Sequence, residues 1–190
     1  AVIITMLPDT SDVETVLLGE NGILSAIRAG KVIVDMSSIS PTETIRFAYQ
    51  ANEAGCEYLD APVSGGQSGA EAASLSIMVG GNPKTFEQIK PLFALLGKNI
   101  TRVGDVGTGQ ICKIANQIIV ANNIEAVAEA LVLVSRAGAD PELARQALMG
   151  GSASSRVLEQ QAKRMIKRQF EPGFRVDLHR KDLKLALNTA

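Results

Sequence analysis

The chain has 190 residues, of which 46% are hydrophobic and 21% charged, with a formal net charge of −1. That length holds one or two domains with a sizeable buried core. The balance of 20 acidic against 19 basic residues does not suggest a nucleic-acid binder, whose domain is normally clearly basic, and no apolar run approaches the roughly 18 residues of a membrane span.

In chain order, Val2–Ile3–Ile4–Thr5–Met6 predicts a buried strand that stops at Leu7–Pro8. Asp12 is placed to cap a short helix through Leu18, followed by a turn at Gly19 and Asn21–Gly22. Lys31–Asp35 predicts a second strand. Ser40–Pro41 supplies the N-cap and first position of a helix that ends at Gly55. Cys56–Asp60 and Leu75–Val79 predict the third and fourth strands, and Ile100–Val103 the fifth, with a helix opening at Pro83 before it. Strand and helix in alternation predict an α/β fold with a parallel sheet and helices on its faces.

From Thr108 to about Ala137 there is no proline, and no glycine after Gly109. Apolar residues recur through Ile111, Ile114, Ile118, Ala121, Ile124 and Ala128, which predicts one helix far longer than the average of about 11 to 12 residues. Asp140–Pro141 starts another helix to about Met149. A third covers about Ser154 to Arg168, and a last one begins near Asp177. The domain boundary is expected near residue 106, with 1–106 the α/β part and 107–190 all helical.

The two cysteines, Cys56 and Cys112, fall in a strand-like run and a helix without metal-ligand spacing and read as reduced core residues of a cytoplasmic protein. A single histidine, His179, leaves no material for a multi-histidine metal site. No charged, apolar, cleavable leader is visible. The chain starts inside a strand pattern, lacks the G-x-G-x-x-G that opens a nucleotide-binding α/β half, and stops inside a helical pattern. These features predict a fragment missing an amino-terminal βαβ portion and carboxy-terminal helices.

Two constellations suit chemistry. Asp60–Ala–Pro62–Val–Ser64–Gly65–Gly66 is expected at the carboxyl end of a strand, where open sheets place ligands. A serine hydroxyl and two glycine N–H groups suit a carboxylate, and a tight turn closing a strand is the plainer reading. Pro62 at the first position removes the nucleophile-elbow pattern. The second constellation is Gly107–Thr–Gly109–Gln–Ile–Cys–Lys113, which fails as a phosphate loop because Gln110 follows the glycine. Lys113 lies on the apolar early part of the long helix, and Asn116 and Gln117 follow at i+3 and i+4. Such a lysine either snorkels to water or, when buried, has a lowered pKa and serves as acid or base. The run Asp177–Leu–His179–Arg180–Lys181–Asp182 reads as a solvated first turn, unless Lys181 points back into a cleft.

Taken in order, Ile–Thr–Met6–Leu7–Pro8, Asp35–Met–Ser–Ser38, Asp60–Ala–Pro–Val–Ser64–Gly65–Gly66, Gly107–Thr–Gly109–Gln–Ile–Cys–Lys113 and Leu178–His–Arg–Lys181–Asp182–Leu closely resemble the β-hydroxyacid dehydrogenase family. The resemblance covers essentially the whole chain. It implies a Rossmann-type domain, a long interdomain helix, an all-helical domain, and NAD or NADP as hydride carrier for a small 3-hydroxy or 3-oxo acid. It implies Lys113 as the catalytic lysine, and Ser64, Gly65 and Gly66 as holders of the substrate carboxylate, with Asn116 or Gln117 beside them. Leu7, Pro8, Asp12 and Ser38 would border the cofactor, and Lys181 would reach it. The family's lysine motif commonly carries asparagine four residues on, where this chain has Gln117. The stretches Met149–Arg156 and Phe170–Arg175 resemble the branch that reduces tartronate semialdehyde, with 3-hydroxyisobutyrate as the alternative substrate. A non-catalytic cofactor-binding or oligomerisation module is the rival from another class. Homo-oligomerisation is expected, without a metal, nucleic-acid or membrane partner.

Overall fold

The computed structural model describes residues 1–190, which divide into two compact units: Ala1–Ala115 with Gly173–Ala190, and Asn116–Pro172. The first unit is built on a six-stranded sheet. Strands β1 (Val2–Thr5), β2 (Val32–Asp35) and β3 (Glu57–Asp60) run parallel, in register Val2–Val32–Glu57 through Thr5–Asp35–Asp60. Helix α1 (Thr10–Leu18), the short α2 (Ile23–Ala26) and α3 (Pro41–Glu53) form the first two crossovers.

The sheet departs from the all-parallel prediction beyond β3. A two-residue strand, β4 (Val63–Ser64), follows, and then a short helix, α4 (Gly66–Glu71). The returning strand β5 (Leu75–Gly81) pairs antiparallel with both β3 and β4. Residues 61–74 are taken up by the short strand β4 and the six-residue α4, so the chain folds back beside β4 instead of crossing over on a full helix. Pro62, with no N–H, separates β3 from β4, while its carbonyl still accepts the Met78 N–H at 3.0 Å. Helix α5 (Pro83–Phe93) then makes a true crossover, so β6 (Gly97–Gly104) is parallel to β5.

Both faces of the sheet are covered. On one, Ile33 and Tyr58 pack with Val13 and Leu17 of α1 and Phe47, Ala48 and Ala51 of α3. On the other, Val32, Val34, Leu59, Ile77 and Val79 pack with Phe86, Ile89 and Phe93 of α5. Burial on both sides explains the unbroken apolar run of β2, whereas β1, expected to be a buried strand, leaves Val2 and Ile4 exposed.

Local signals hold at most helix ends. Ser40 caps α3 with Pro41 at its first position, and Asp140 caps α7 (Pro141–Met149) in the same way. Helix α1 is a correction: its N-cap is Asp9, and Asp12 sits three residues on, returning its carboxylate to the Asp9 N–H at 3.1 Å as a capping box.

Helix α6 spans Thr108–Arg136, its 29 residues beginning in the first unit and continuing into the second. Its most apolar 18-residue window has a mean hydropathy of 1.7, so by length and composition it is apolar enough to cross a membrane. Counting uninterrupted apolar runs misses this, because Lys113, Asn116, Gln117, Asn122 and Asn123 break the run. The second unit also holds α7 and α8 (Arg156–Ile166), with a core of Val127, Leu131, Val157, Leu158 and Ala162. Helix α9 (Val176–Thr189) belongs to the first unit. Both cysteines are free thiols, Cys56 buried.

Candidate active site

The carboxyl ends of β1 and β2 are laced together before any distant element joins them. The Leu7 N–H donates to Ser37 Oγ at 2.8 Å, and the Ser40 N–H donates to Thr10 Oγ1 at 3.1 Å. Beneath them Asp35 is fully buried and accepts from Thr5 Oγ1 at 2.8 Å and from the Ser37 N–H at 3.1 Å. Burial holds the Asp35 carboxyl above the usual carboxylate range, although these hydrogen bonds favour the charged form.

Two elements from the far end of the chain close on this rim. Gln110, buried on the first turn of α6, accepts from the Ile39 N–H at 3.1 Å and donates to the Ser37 carbonyl at 2.8 Å. From α9 the Lys181 ammonium donates to the Pro8 carbonyl at 2.8 Å and to the Ser38 carbonyl, and lies 3.2 Å from Asp182 Oδ1. Leu7, Pro8, Ser38 and Lys181 therefore gather at one rim. Asp12 is exposed on the neighbouring α1, its carboxylate engaged in the capping box.

The Ser64–Gly65–Gly66 corner lies on the other side of the β3 strand end. Ser64 is half-buried on β4, opposite Ser76, rather than in an open loop after β3. Gly65 and Gly66 adopt φ of 139° and 63°, a left-handed turn that starts α4 and leaves both exposed. No side-chain hydrogen bond engages the Ser64 hydroxyl.

Lys113 is buried at 9% exposure on α6. Burial pushes its ammonium below the usual lysine range. The Asp182 carboxylate works against that shift, and the neighbouring Lys181 charge adds to it. Asn116 and Gln117 fall one helical turn further on, in the second unit, where the Asn116 amide donates to Gln117 Oε1 at 2.7 Å.

Sequence reasoning missed Asp60, Gln110 and Asp182 as members of this arrangement. Asp60 is fully buried and accepts from the Gly107 N–H at 2.8 Å and the Gln110 N–H at 3.0 Å, so it caps α6 from the end of β3. Its position four residues before Ser64 was visible, but a partner 47 residues away was not.

A doubly covered α/β sheet, with loops gathered at its strand ends and a buried lysine beside them, defines a Rossmann-type nucleotide-binding class. Residues 1–104 match the NAD binding domain of 6-phosphogluconate dehydrogenase, and residues 107–190 match the NAD-binding domain of NADP-dependent 3-hydroxyisobutyrate dehydrogenase. The chain belongs to the β-hydroxyacid dehydrogenase family, whose cofactor is NAD or NADP. It is 66% identical over 189 residues to the 2-hydroxy-3-oxopropionate reductase of Escherichia coli K12, covering 100% of this chain and 65% of that protein. It is 46% identical over 187 residues to the 2-(hydroxymethyl)glutarate dehydrogenase of Eubacterium barkeri, covering 98% of this chain and 62% of that protein. Among solved structures, the 3-hydroxyisobutyrate dehydrogenase of Mycobacterium tuberculosis with L-serine superposes with a TM-score of 0.88 at 32% identity, covering 99% of this chain and 66% of that one. The chain thus spans about two thirds of the length of these relatives.

Proposed function

We propose that the protein is an NAD(P)-dependent β-hydroxyacid dehydrogenase that reversibly reduces tartronate semialdehyde to glycerate. One observation carries the chemistry: Lys113 is buried with its pKa lowered, on a helix whose first turn is anchored to the strand end leading to Ser64–Gly65–Gly66. In this reading Ser64 Oγ and the Gly65 and Gly66 N–H groups hold the substrate carboxylate, which orients the carbonyl carbon. Lys113 gives its proton to the carbonyl oxygen in reduction and takes the hydroxyl proton in oxidation. A lysine with a lowered pKa serves both directions better than one at its ordinary value. Asn116 or Gln117 adds an amide contact to the substrate.

The rim of Leu7, Pro8 and Ser38 fits a nicotinamide nucleotide in its chemistry. Exposed Met6 and half-buried Leu7 offer apolar surface to a planar ring, Ser38 a hydroxyl, and Lys181 a positive charge for the anionic part. Asp12 borders it from α1. When bound, the nicotinamide supplies the hydride in reduction and accepts it in oxidation. The scheme calls on no metal ion.

Tartronate semialdehyde is favoured by the 66% identity to the Escherichia coli reductase. The 3-hydroxyisobutyrate reading is favoured by the family model over residues 107–190 and by the Mycobacterium tuberculosis structure. The same reading includes a cofactor-binding part over 1–106 and a helical part over 107–190, supported by the end of β6 at Gly104 and the start of α6 at Thr108. It also includes a cytoplasmic location and no membrane or nucleic-acid partner. A homo-oligomer is supported by exposed Ile119, Val132 and Leu133 on α6.

The test is turnover by the full-length protein with tartronate semialdehyde and with 3-hydroxyisobutyrate, each with both nucleotides. The first substrate should give the higher kcat/KM. Nucleotide binding without turnover of either would make the protein a non-catalytic module instead.

A further inference from the structure

Asp60 has no assigned contact with substrate, and its side-chain hydrogen bonds go to neither the carboxylate cradle nor the lysine. Each of its oxygens is engaged by the start of α6, Oδ1 by the Gly107 N–H and Oδ2 by the Gln110 N–H. A carboxylate at a helix N-terminus satisfies orphan donors and complements the helix dipole.

This close approach depends on two missing side chains. A Cβ at Gly80 would lie 2.4 Å from Asp60 Oδ1, and one at Gly109 would lie 2.8 Å from Oδ2 and 2.5 Å from the Met78 carbonyl. The helix backbone therefore rests directly on the sheet at this corner. Gln110 locks the same turn to Ser37 and Ile39. Lys113 follows Gln110 by three residues, about 4.5 Å of helix rise on the same face. Going the other way, Ser64 follows Asp60 by four residues across the Pro62 break.

We infer that Asp60 is a positioning residue for Lys113, fixing through the first turn of α6 where the ammonium meets a substrate held by Ser64–Gly65–Gly66. The inference rests on the proposed role of Lys113 and extends it to a residue that contacts no substrate. The charged groups around Lys113 are Asp182 and Lys181 of α9, neither of which contacts the Gly107 or Gln110 N–H. Loosening the turn thus alters the burial of the lysine without removing its charged neighbours.

The experiment is Asp60→Asn in the full-length protein, assayed in the oxidative direction across pH. The amide keeps the size and one acceptor but sets an NH2 against a backbone N–H. Misplacing the lysine should lower kcat about 100-fold while nucleotide affinity is unchanged. Oxidation needs neutral Lys113, so kcat/KM rises with pH through its pKa. Water reaching a loosened lysine should move that limb upward, toward the ordinary lysine value. Gly109→Ala leaves Asp60 intact but forces the turn off it, and repeats the test if Asp60→Asn does not accumulate folded. Alanine there should favour the helix on propensity alone, so an upward-shifted limb in this variant supports the anchor. Unchanged kcat, or reduced kcat with an unmoved limb, overturns the inference and leaves Asp60 a structural cap. Lys113→Met, assayed in parallel, separates the two claims: turnover by that variant defeats the lysine assignment itself.

Discussion

The Lys181 ammonium donates to the Pro8 carbonyl oxygen at 2.8 Å across 173 residues of chain. With the Ser38 carbonyl and the Asp182 carboxylate as further partners, it joins the last helix to the ends of the first two strands. Lys181→Met keeps the stem but removes all three interactions. Loss of the charged hydrogen bonds should cost about 2 kcal/mol in urea unfolding. Backbone amides of 176–189 should exchange faster, because α9 loses its tether. Unchanged exchange there would remove Lys181 from the docking of α9.

Lys113→Ala should lower kcat by about 10²- to 10⁴-fold while nucleotide binding persists, as expected for loss of a general acid and base. Near-normal turnover would remove the lysine from the chemistry.

Burial also makes Lys113 a cost to folding, and its sign follows from the direction of the shift. A lysine whose folded pKa lies below its unfolded value favours the neutral form. Its relative contribution is therefore present above the unfolded pKa of about 10.4 and is lost as pH falls through the folded pKa. Lys113→Met should raise Tm against the parent at pH 7, with the gain narrowing toward pH 10.5. Calorimetry at the two pH values checks this, and an equal difference at both would contradict the assignment.

Ser64→Ala should act mainly on KM. One hydrogen bond to a charged group is worth roughly 1.5 to 3 kcal/mol, so KM for the acid should rise about 10- to 150-fold. Steady-state kinetics with kcat little changed would support the cradle, and an unaltered KM would count against it.

Asp35 offers a check on the buried strand ends. Its folded pKa is raised, so the stability it contributes is full below the unfolded value of about 3.9 and is lost as pH rises through the folded one. Asp35→Asn keeps an acceptor for Thr5 Oγ1 and the Ser37 N–H. It should unfold at higher denaturant than the parent at pH 7 and show no such advantage at pH 3.5. An advantage of the same size at both values would mean that charge burial is not the cause.

The reading of elements from residues succeeded where the cause was local. Ser40–Pro41 and Asp140–Pro141 start helices because a hydroxyl or carboxylate on a short side chain reaches N–H groups within the same turn. The unbroken span after Gly109 is helical for the same kind of reason. The direction of β5 was not legible, because it depends on how residues 61–74 turn in space. Asp12 was misplaced as a cap because Asp9 and Asp12 both carry carboxylates, and only backbone angles distinguish an N-cap from a third helical position.

From its residues alone, this chain declares an α/β region, a long helix bearing one lysine among apolar neighbours, and a serine beside two glycines at a strand end. Those properties follow from periodicity and side-chain chemistry within a few residues. The tertiary structure alone decides that Lys113 is buried rather than snorkelling, that Asp60 caps a helix 47 residues away, and that Lys181 holds the ends of β1 and β2. Burial and long-range hydrogen bonds depend on which surfaces meet in the folded sheet, and no short window of sequence contains both partners.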